Sequence, residues 1–155
     1  MIMKSYRAFL LLAVLSVLTG CSVLSSDKNE DVSVAVIELK STGLINPDIR
    51  GHASPLTVRI YELTSTNQFK KSGFFELYDS EESALGTELV SRQEFTVTPE
   101  DVLRKTVVLS PTTKYLGVVA AFSDIDNAKW RAISPVLPGE VLYNVVLDER
   151  VVEFK

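Results

Sequence analysis

The chain has 155 residues, 46% of them hydrophobic, and its 16 basic and 20 acidic side chains give a formal charge of −4. That length suits one domain, and an acidic chain without a basic stripe and interleaved aromatics argues against phosphate backbones, so no nucleic-acid partner is expected. One histidine, one cysteine and seven scattered glycines leave too little for a Ser-His-Asp or Cys-His arrangement or a phosphate-cradling loop, and no enzyme and no catalytic residue are expected.

Residues 1–20 read as a targeting segment rather than as fold. Lys4 and Arg7 form a charged opening, Ala8 to Leu18 is apolar apart from Ser16, and small residues lead into Cys21. The run is shorter than the roughly 20 residues that span a bilayer, and it has no polar face for an amphipathic helix. Leu18-Thr19-Gly20-Cys21 resembles the lipobox cut by the bacterial lipoprotein signal peptidase. That resemblance implies a signal peptide at 1–20 and a mature chain starting at Cys21, with a diacylglyceryl thioether on its sulfur and an acylated amino group. The covalent lipid at Cys21 is the only added group expected; no cofactor and no metal are. Several acyl chains anchor a protein stably where a single one does so marginally. Lipidation also accounts for the lone cysteine, which leaves no thiol for an internal disulfide. In such lipoproteins an aspartate after the cysteine commonly signals inner-membrane retention, so Ser22 implies the outer membrane. Removing residues 1–20 takes Lys4 and Arg7 and no acid, leaving 14 basic against 20 acidic residues and a charge of −6.

Residues 21–31 are polar beyond the cysteine, with Ser25, Ser26, Asp27, Lys28, Asn29 and Glu30 in sequence, and read as a lipidated tether. The folded domain is expected over 32–155. Val32 to Leu39 is rich in β-branched residues. Leu56, Val58 and Ile60 alternate with Thr57, Arg59 and Tyr61, which predicts a strand with one buried face. Between Leu63 and Val90 the spacing turns helical: Phe74, Leu77 and Tyr78, then Leu85 and Leu89, with Gly73 and Gly86 as punctuation. One or two short helices are expected there, inserted at about 66–90. Phe95 and Val97 mark a weaker strand, and Leu103 to Leu109 alternates until Ser110-Pro111. Tyr115 to Phe122 carries no charge, the pattern of a central strand covered on both faces. Trp130 to Val136 ends at Leu137-Pro138-Gly139, and Val141 to Leu147 with Val151 to Phe154 predicts a hairpin around Asp148-Glu149-Arg150. Seven or more short strands without βα alternation predict an all-β fold, a two-layer antiparallel β-sandwich with a short helical insertion.

The residues that could carry chemistry have plainer roles. His52 lies among turn formers (Asn46-Pro47-Asp48, Gly51, Ser54-Pro55) and is expected to be an exposed loop residue. Asp124-Ile125-Asp126-Asn127 opens like a calcium loop, but Lys129 replaces the required glycine and Pro135 the bidentate glutamate, so a polar turn is expected. Asp79, Glu81 and Glu82 are expected on a solvated helix face. Trp130 is expected in the sandwich core, with Arg131 over an edge or paired with an acid.

The set Asn46-Pro47-Asp48, Gly51, Ser54-Pro55, Val58-Arg59-Ile60-Tyr61-Glu62-Leu63, Phe69, Phe74-Phe75, Leu77-Tyr78, Leu85-Gly86, Glu94-Phe95, Pro99, Tyr115 to Phe122 and Trp130-Arg131, in this order behind a lipobox, resembles the outer-membrane lipoprotein of the type VI secretion system (the TssJ or SciN type). His52 departs from the arginine expected after the glycine. The resemblance implies a transthyretin-like sandwich with an added helical element, held by lipid on the periplasmic face of the outer membrane. It implies a structural role: binding the periplasmic C-terminal domain of the large inner-membrane component (TssM type), in a complex that also holds a smaller inner-membrane protein (TssL type). It further implies that the loop between the first two strands, Thr42 to Ser54, touches that partner through Leu44, Ile45, Asn46, Asp48, Ile49, Arg50 and His52. Pro47 and Pro55 restrict this loop's backbone and reduce the ordering entropy of binding, and apolar residues beside an arginine are common in interface hot spots. Leu44 and Ile45 have a second reading, tucked into the end of the sandwich. Alternative functions are a pilotin-like lipoprotein escorting a pore, a ligand-binding periplasmic lipoprotein, or an envelope lipoprotein without a dedicated partner. Hydroxyisourate hydrolases of related fold depend on several histidines and a Tyr-Arg-Gly-Ser ending; this chain has one histidine and ends Val-Glu-Phe-Lys.

Overall fold

Eight strands build two four-stranded sheets packed face to face, with period-two burial plainest in Val34–Ser41 and Glu140–Asp148. The computed structural model describes residues 33–155; the expected signal peptide at 1–20, Cys21 and the expected tether at 21–31 lie outside the described residues. The strands are β1 (Val34–Ser41), β2 (Leu56–Leu63), β3 (Leu89–Val97), β4 (Val102–Val108), β5 (Tyr115–Ala120), β6 (Arg131–Pro135), β7 (Glu140–Asp148) and β8 (Val151–Phe154). One sheet runs β4-β1-β7-β8 and the other β3-β2-β5-β6. Ala35, Ile37 and Leu39 of β1 and Tyr143, Val145 and Leu147 of β7 meet Leu56, Val58 and Ile60 of β2 and Leu116, Val118 and Ala120 of β5. Each such side chain, fully buried, contributes about 1.5–3 kcal/mol.

The sandwich is not wholly antiparallel. β1 pairs parallel with β7 while the other paired strands run antiparallel. Alternation fixes which face a side chain takes and says nothing about the direction of the neighbour. The strand ends also shift by one or two residues from those expected, as at β4 and β5.

The insertion is larger in number and shorter in extent than its pattern suggested. Three helices, α1 (Asn67–Lys71), α2 (Phe74–Asp79) and α3 (Glu81–Leu85), and a 3-10 turn at Gly86–Glu88 end where β3 begins. None is long enough to stand alone, so side chains close their ends. The Glu88 carboxylate accepts N–H bonds from Gln68 and Phe69 at the start of α1, and Glu76 accepts from Gly73 at the start of α2. Together they lay Phe69, Leu77 and Leu85 on the outer face of the second sheet, against Tyr61, Leu63 and Val119. This lid explains the uncharged run in β5, whose alternate residues serve the sandwich core and the lid. It also corrects β2, expected to bury one face only: Tyr61 and Leu63 are as buried as Val58. Gly117 is required here, because a Cβ on it would lie 2.7 Å from Cζ of Phe69.

Trp130 is the other correction. It precedes β6 and is half-buried at the seam of both cores, edge-on to Phe74 with ring centroids 5.5 Å apart. Arg131 stacks on it and donates to the carbonyls of Phe69 and Ser72 at 2.7 and 2.9 Å, so it pins α1 to β6. Burial lowers its pKa.

Register sets two poles. Val34 lies opposite Val108 and Glu140, and Lys40 opposite Val102 and Val146. The start of β1 therefore shares one pole with the β4–β5 and β6–β7 connections. The β1–β2, β3–β4, β5–β6 and β7–β8 connections share the other, about 25 Å away along eight strand residues.

Candidate functional site

The loop from Thr42 to Pro55 crowns this second pole. Its backbone is fixed by a small number of polar side chains. Asn46 holds a left-handed conformation (φ 46°) that asparagine tolerates better than most residues. Its Nδ2 donates to the Pro55 carbonyl at 2.9 Å, its Oδ1 accepts from Ser123 N at 2.7 Å, and its own N–H donates to Glu149 O at 2.7 Å. One residue thus ties the loop to itself, to the β5–β6 connection and to the β7–β8 turn. Asp48 organises the next turn: its Oδ1 accepts from the N–H groups of Arg50 (2.8 Å) and His52 (2.9 Å), and Gly51 supplies the positive φ. These backbone bonds, the one from His52 foremost, hold the Asp48 carboxyl below the usual range. At the base, Thr42 Oγ1 donates to Asp148 at 2.7 Å, and Ser41 Oγ joins Thr98 O and Asp101 N.

This frame sorts the expected contact residues. Ile49 is completely exposed and Leu44 is 65% exposed; Arg50 and His52 are exposed and Asp48 is half-buried. Ile45 is different. It is 0% exposed and belongs to the sandwich core, so its side chain cannot meet a partner. Asn46, 6% exposed, has its amide committed within the loop. The reason is geometric: in a short span closing two sheets, one apolar residue plugs the gap and the next satisfies the backbone around it. Leu44, read alternatively as tucked in, stands out in solvent.

Residues that sequence reasoning assigned only to a hairpin turn join the same surface. Leu44, Pro47, Asp48, Ile49, Gly51, Glu149 and Arg150 line a shallow concavity of about 420 Å³. Arg150 bridges to Asp124 at 2.9 Å and also pairs with Glu149. The single available signal was Asp148-Glu149-Arg150 itself, a charged turn whose place beside the first loop follows from the sheet order and not from local sequence. Asp124 to Asn127 is a polar turn as expected, with Asn127 Nδ2 donating to Asp124 at 2.9 Å.

Elsewhere charges are spent on structure. Glu81 is not on a solvated helix face. As the first residue of α3 it turns its carboxylate toward β2 and β3, accepting from Tyr61 Oη at 3.0 Å and pairing with Arg92 at 2.6 Å and Arg59 at 3.4 Å; Asp79 and Glu82 are exposed as expected. Burial raises the Tyr61 pKa. Among the described residues no group of histidine, cysteine, aspartate and glutamate side chains could hold a metal ion, and no helix is long and apolar enough to cross a membrane.

Residues 33–150 match the family model described as type VI secretion lipoprotein, VasD, EvfM, TssJ, VC_A0113. A comparison with curated protein sequences gives no match. Among solved structures, the T6SS lipoprotein TssJ1 from Pseudomonas aeruginosa is 32% identical over 80% of this chain and 95% of its own, with a TM-score of 0.77. Serratia marcescens Lip, a membrane-bound component of the type VI secretion system, is 21% identical over 80% and 96%, with a TM-score of 0.75. A chain of the structure described as the T6SS protein TssM C-terminal domain (869–1107) from EAEC is 16% identical over 79% and 97%, with a TM-score of 0.68.

Proposed function

Because the chain belongs to the type VI secretion lipoprotein family, we propose that it is the outer-membrane-anchored subunit of that system's membrane complex, with a structural and not a catalytic role. In this reading Cys21 carries the lipid, the domain stands on the periplasmic face of the outer membrane, and the Thr42 to Pro55 pole binds the periplasmic C-terminal domain of a TssM-type inner-membrane protein. A TssL-type protein belongs to the same complex.

The observation that carries the reading is the opposition of the two poles. The described chain starts at Ser33, whose carbonyl accepts from Leu109 N at the first pole, on the side of the expected lipid. Leu44 and Ile49 are exposed at the far pole on a hydrogen-bonded frame. A domain tethered at one end and presenting rigid apolar side chains at the other is built to bridge a membrane and a second protein: little ordering entropy is lost when such a loop is bound. A chain of the same fold in a structure described by the TssM C-terminal domain supports the choice of partner.

Membrane fractionation tests the anchor. The native chain should sediment with the outer membrane and yield an N-terminal peptide beginning at Cys21 with the mass of three acyl chains. Cys21→Ser should remain folded, leave the membrane fraction and fail to restore secretion in a strain lacking the native chain. Normal secretion by that variant would refute the anchoring role.

A further inference from the structure

The lipid-side pole carries a second exposed apolar surface. In the sheet β4-β1-β7-β8, residues 34 and 36 of β1 point away from the core, since Ala35 and Ile37 are buried within it. Val34 lies opposite Val108, and Val36 opposite Leu142. Val108 is 66% and Leu142 48% exposed, and Leu137, in the adjoining β6–β7 turn, 53%. The turn is held in place: Leu137 N–H donates to Tyr143 Oη at 3.0 Å, Val34 N–H to Gly139 O at 2.9 Å, and Val136 N–H to Lys114 O at 2.8 Å. Further along the same face the surface becomes polar, beginning with the Arg104–Glu38 pair. At the rim Glu140 lies opposite Val34, Thr106 lies opposite Val36, and the exposed Lys114 adjoins the turn through its carbonyl.

The geometry points to this patch as a lipid-contacting surface: Leu137, Val108, Leu142 and Val34 rest in the interface of the bilayer that holds the Cys21 acyl chains. The inference rests on lipidation at Cys21. Eleven residues separate Cys21 from Ser33, so the pole where the domain starts stays within about 40 Å of the membrane even at full extension. That linkage turns a weak contact into an intramolecular one at high effective concentration. Exposed apolar patches of this kind mark interaction surfaces, and interfacial apolar side chains settle about 5–10 Å into the headgroup boundary. Contact here would orient the sandwich, with the Leu44–Ile49 loop aimed into the periplasm instead of swinging freely on its tether.

The test uses the lipidated full-length mature protein in vesicles of phosphatidylethanolamine and phosphatidylglycerol. With the Cys21 sulfur in a thioether, Leu137→Cys and Val108→Cys each carry one reactive thiol for an environment-sensitive fluorophore, and Ile49→Cys and Phe75→Cys serve as distant controls; the chain without an added cysteine should take no label. Lipids brominated near the headgroup should quench the labels at 137 and 108 and leave those at 49 and 75 unchanged. Vesicle flotation without quenching at 137 and 108 would overturn the membrane contact and leave the anchor standing, and it would be joined by concentration-dependent label burial if a second copy covers the patch. Failure to float, with label taken up at Cys21, would overturn the anchor and the contact with it.

Discussion

Replacing Asn46 by alanine removes the residue that frames the loop, and its cost can be worked from the contacts. Two side-chain hydrogen bonds disappear, to Pro55 O and from Ser123 N, each worth about 1 kcal/mol net. Alanine must also keep a φ of 46°, which costs a residue with a Cβ roughly 1–2 kcal/mol; asparagine already bears part of that cost, so the difference adds about 0–2 kcal/mol. Asn46→Ala should therefore destabilise the domain by about 2–4 kcal/mol. Asn46→Gly loses the same bonds without the backbone strain and should cost less; Asn46→Asp keeps the acceptor for Ser123 N and loses the donor to Pro55. Urea unfolding of the chain from Ser22, followed by Trp130 fluorescence, measures all three. An alanine variant within about 0.5 kcal/mol of the native protein, or a glycine variant worse than alanine, would refute the reasoning.

Gly117→Ala should cost about 1–3 kcal/mol by overpacking, because its methyl meets the Phe69 ring; adding Phe69→Leu should recover part of the loss in a thermal melt, and a neutral single variant would count against the close packing of the lid. Glu88 is buried and, although burial alone would raise its pKa, bonds from Ser65 and the N–H groups of Gln68, Phe69 and Asn67 hold it below the ordinary carboxylate value of 4.5. Its contribution is then present above pH 4.5 and is lost as pH falls through the lower folded value. Glu88→Gln should flatten the fall in urea midpoint across that window, and an unchanged slope would remove Glu88 from the account. 

Much of the fold was legible because alternation reports burial directly: Leu56 to Ile60, Val141 to Leu147 and the uncharged Tyr115 to Phe122 each sit where their pattern requires. The direction of the β1–β7 pair was not, since pairing is decided across more than one hundred residues of chain. Trp130 and Glu81 were misplaced for one shared reason: both belong to the contact between the lid and the second sheet, a tertiary surface that no local period announces. The loop showed its turn formers plainly, yet its apolar residues look alike in sequence. Only the fold separates Ile45, which plugs the core, from Leu44 and Ile49, which face solvent.

The proposed binding of a TssM-type partner by the exposed side chains of this loop has a direct test. The measurement is a calorimetric titration of the chain from Ser22 with the purified periplasmic C-terminal domain of that partner, alongside a variant carrying Leu44→Ser, Ile49→Ser and Arg50→Ser. All three residues are exposed, so the variant should keep native stability to within about 0.5 kcal/mol. Saturable binding by the native chain and none by the folded variant is the expected result. Equal binding by both would move the interface away from this pole, and no binding by the native chain would contradict the proposed partner itself.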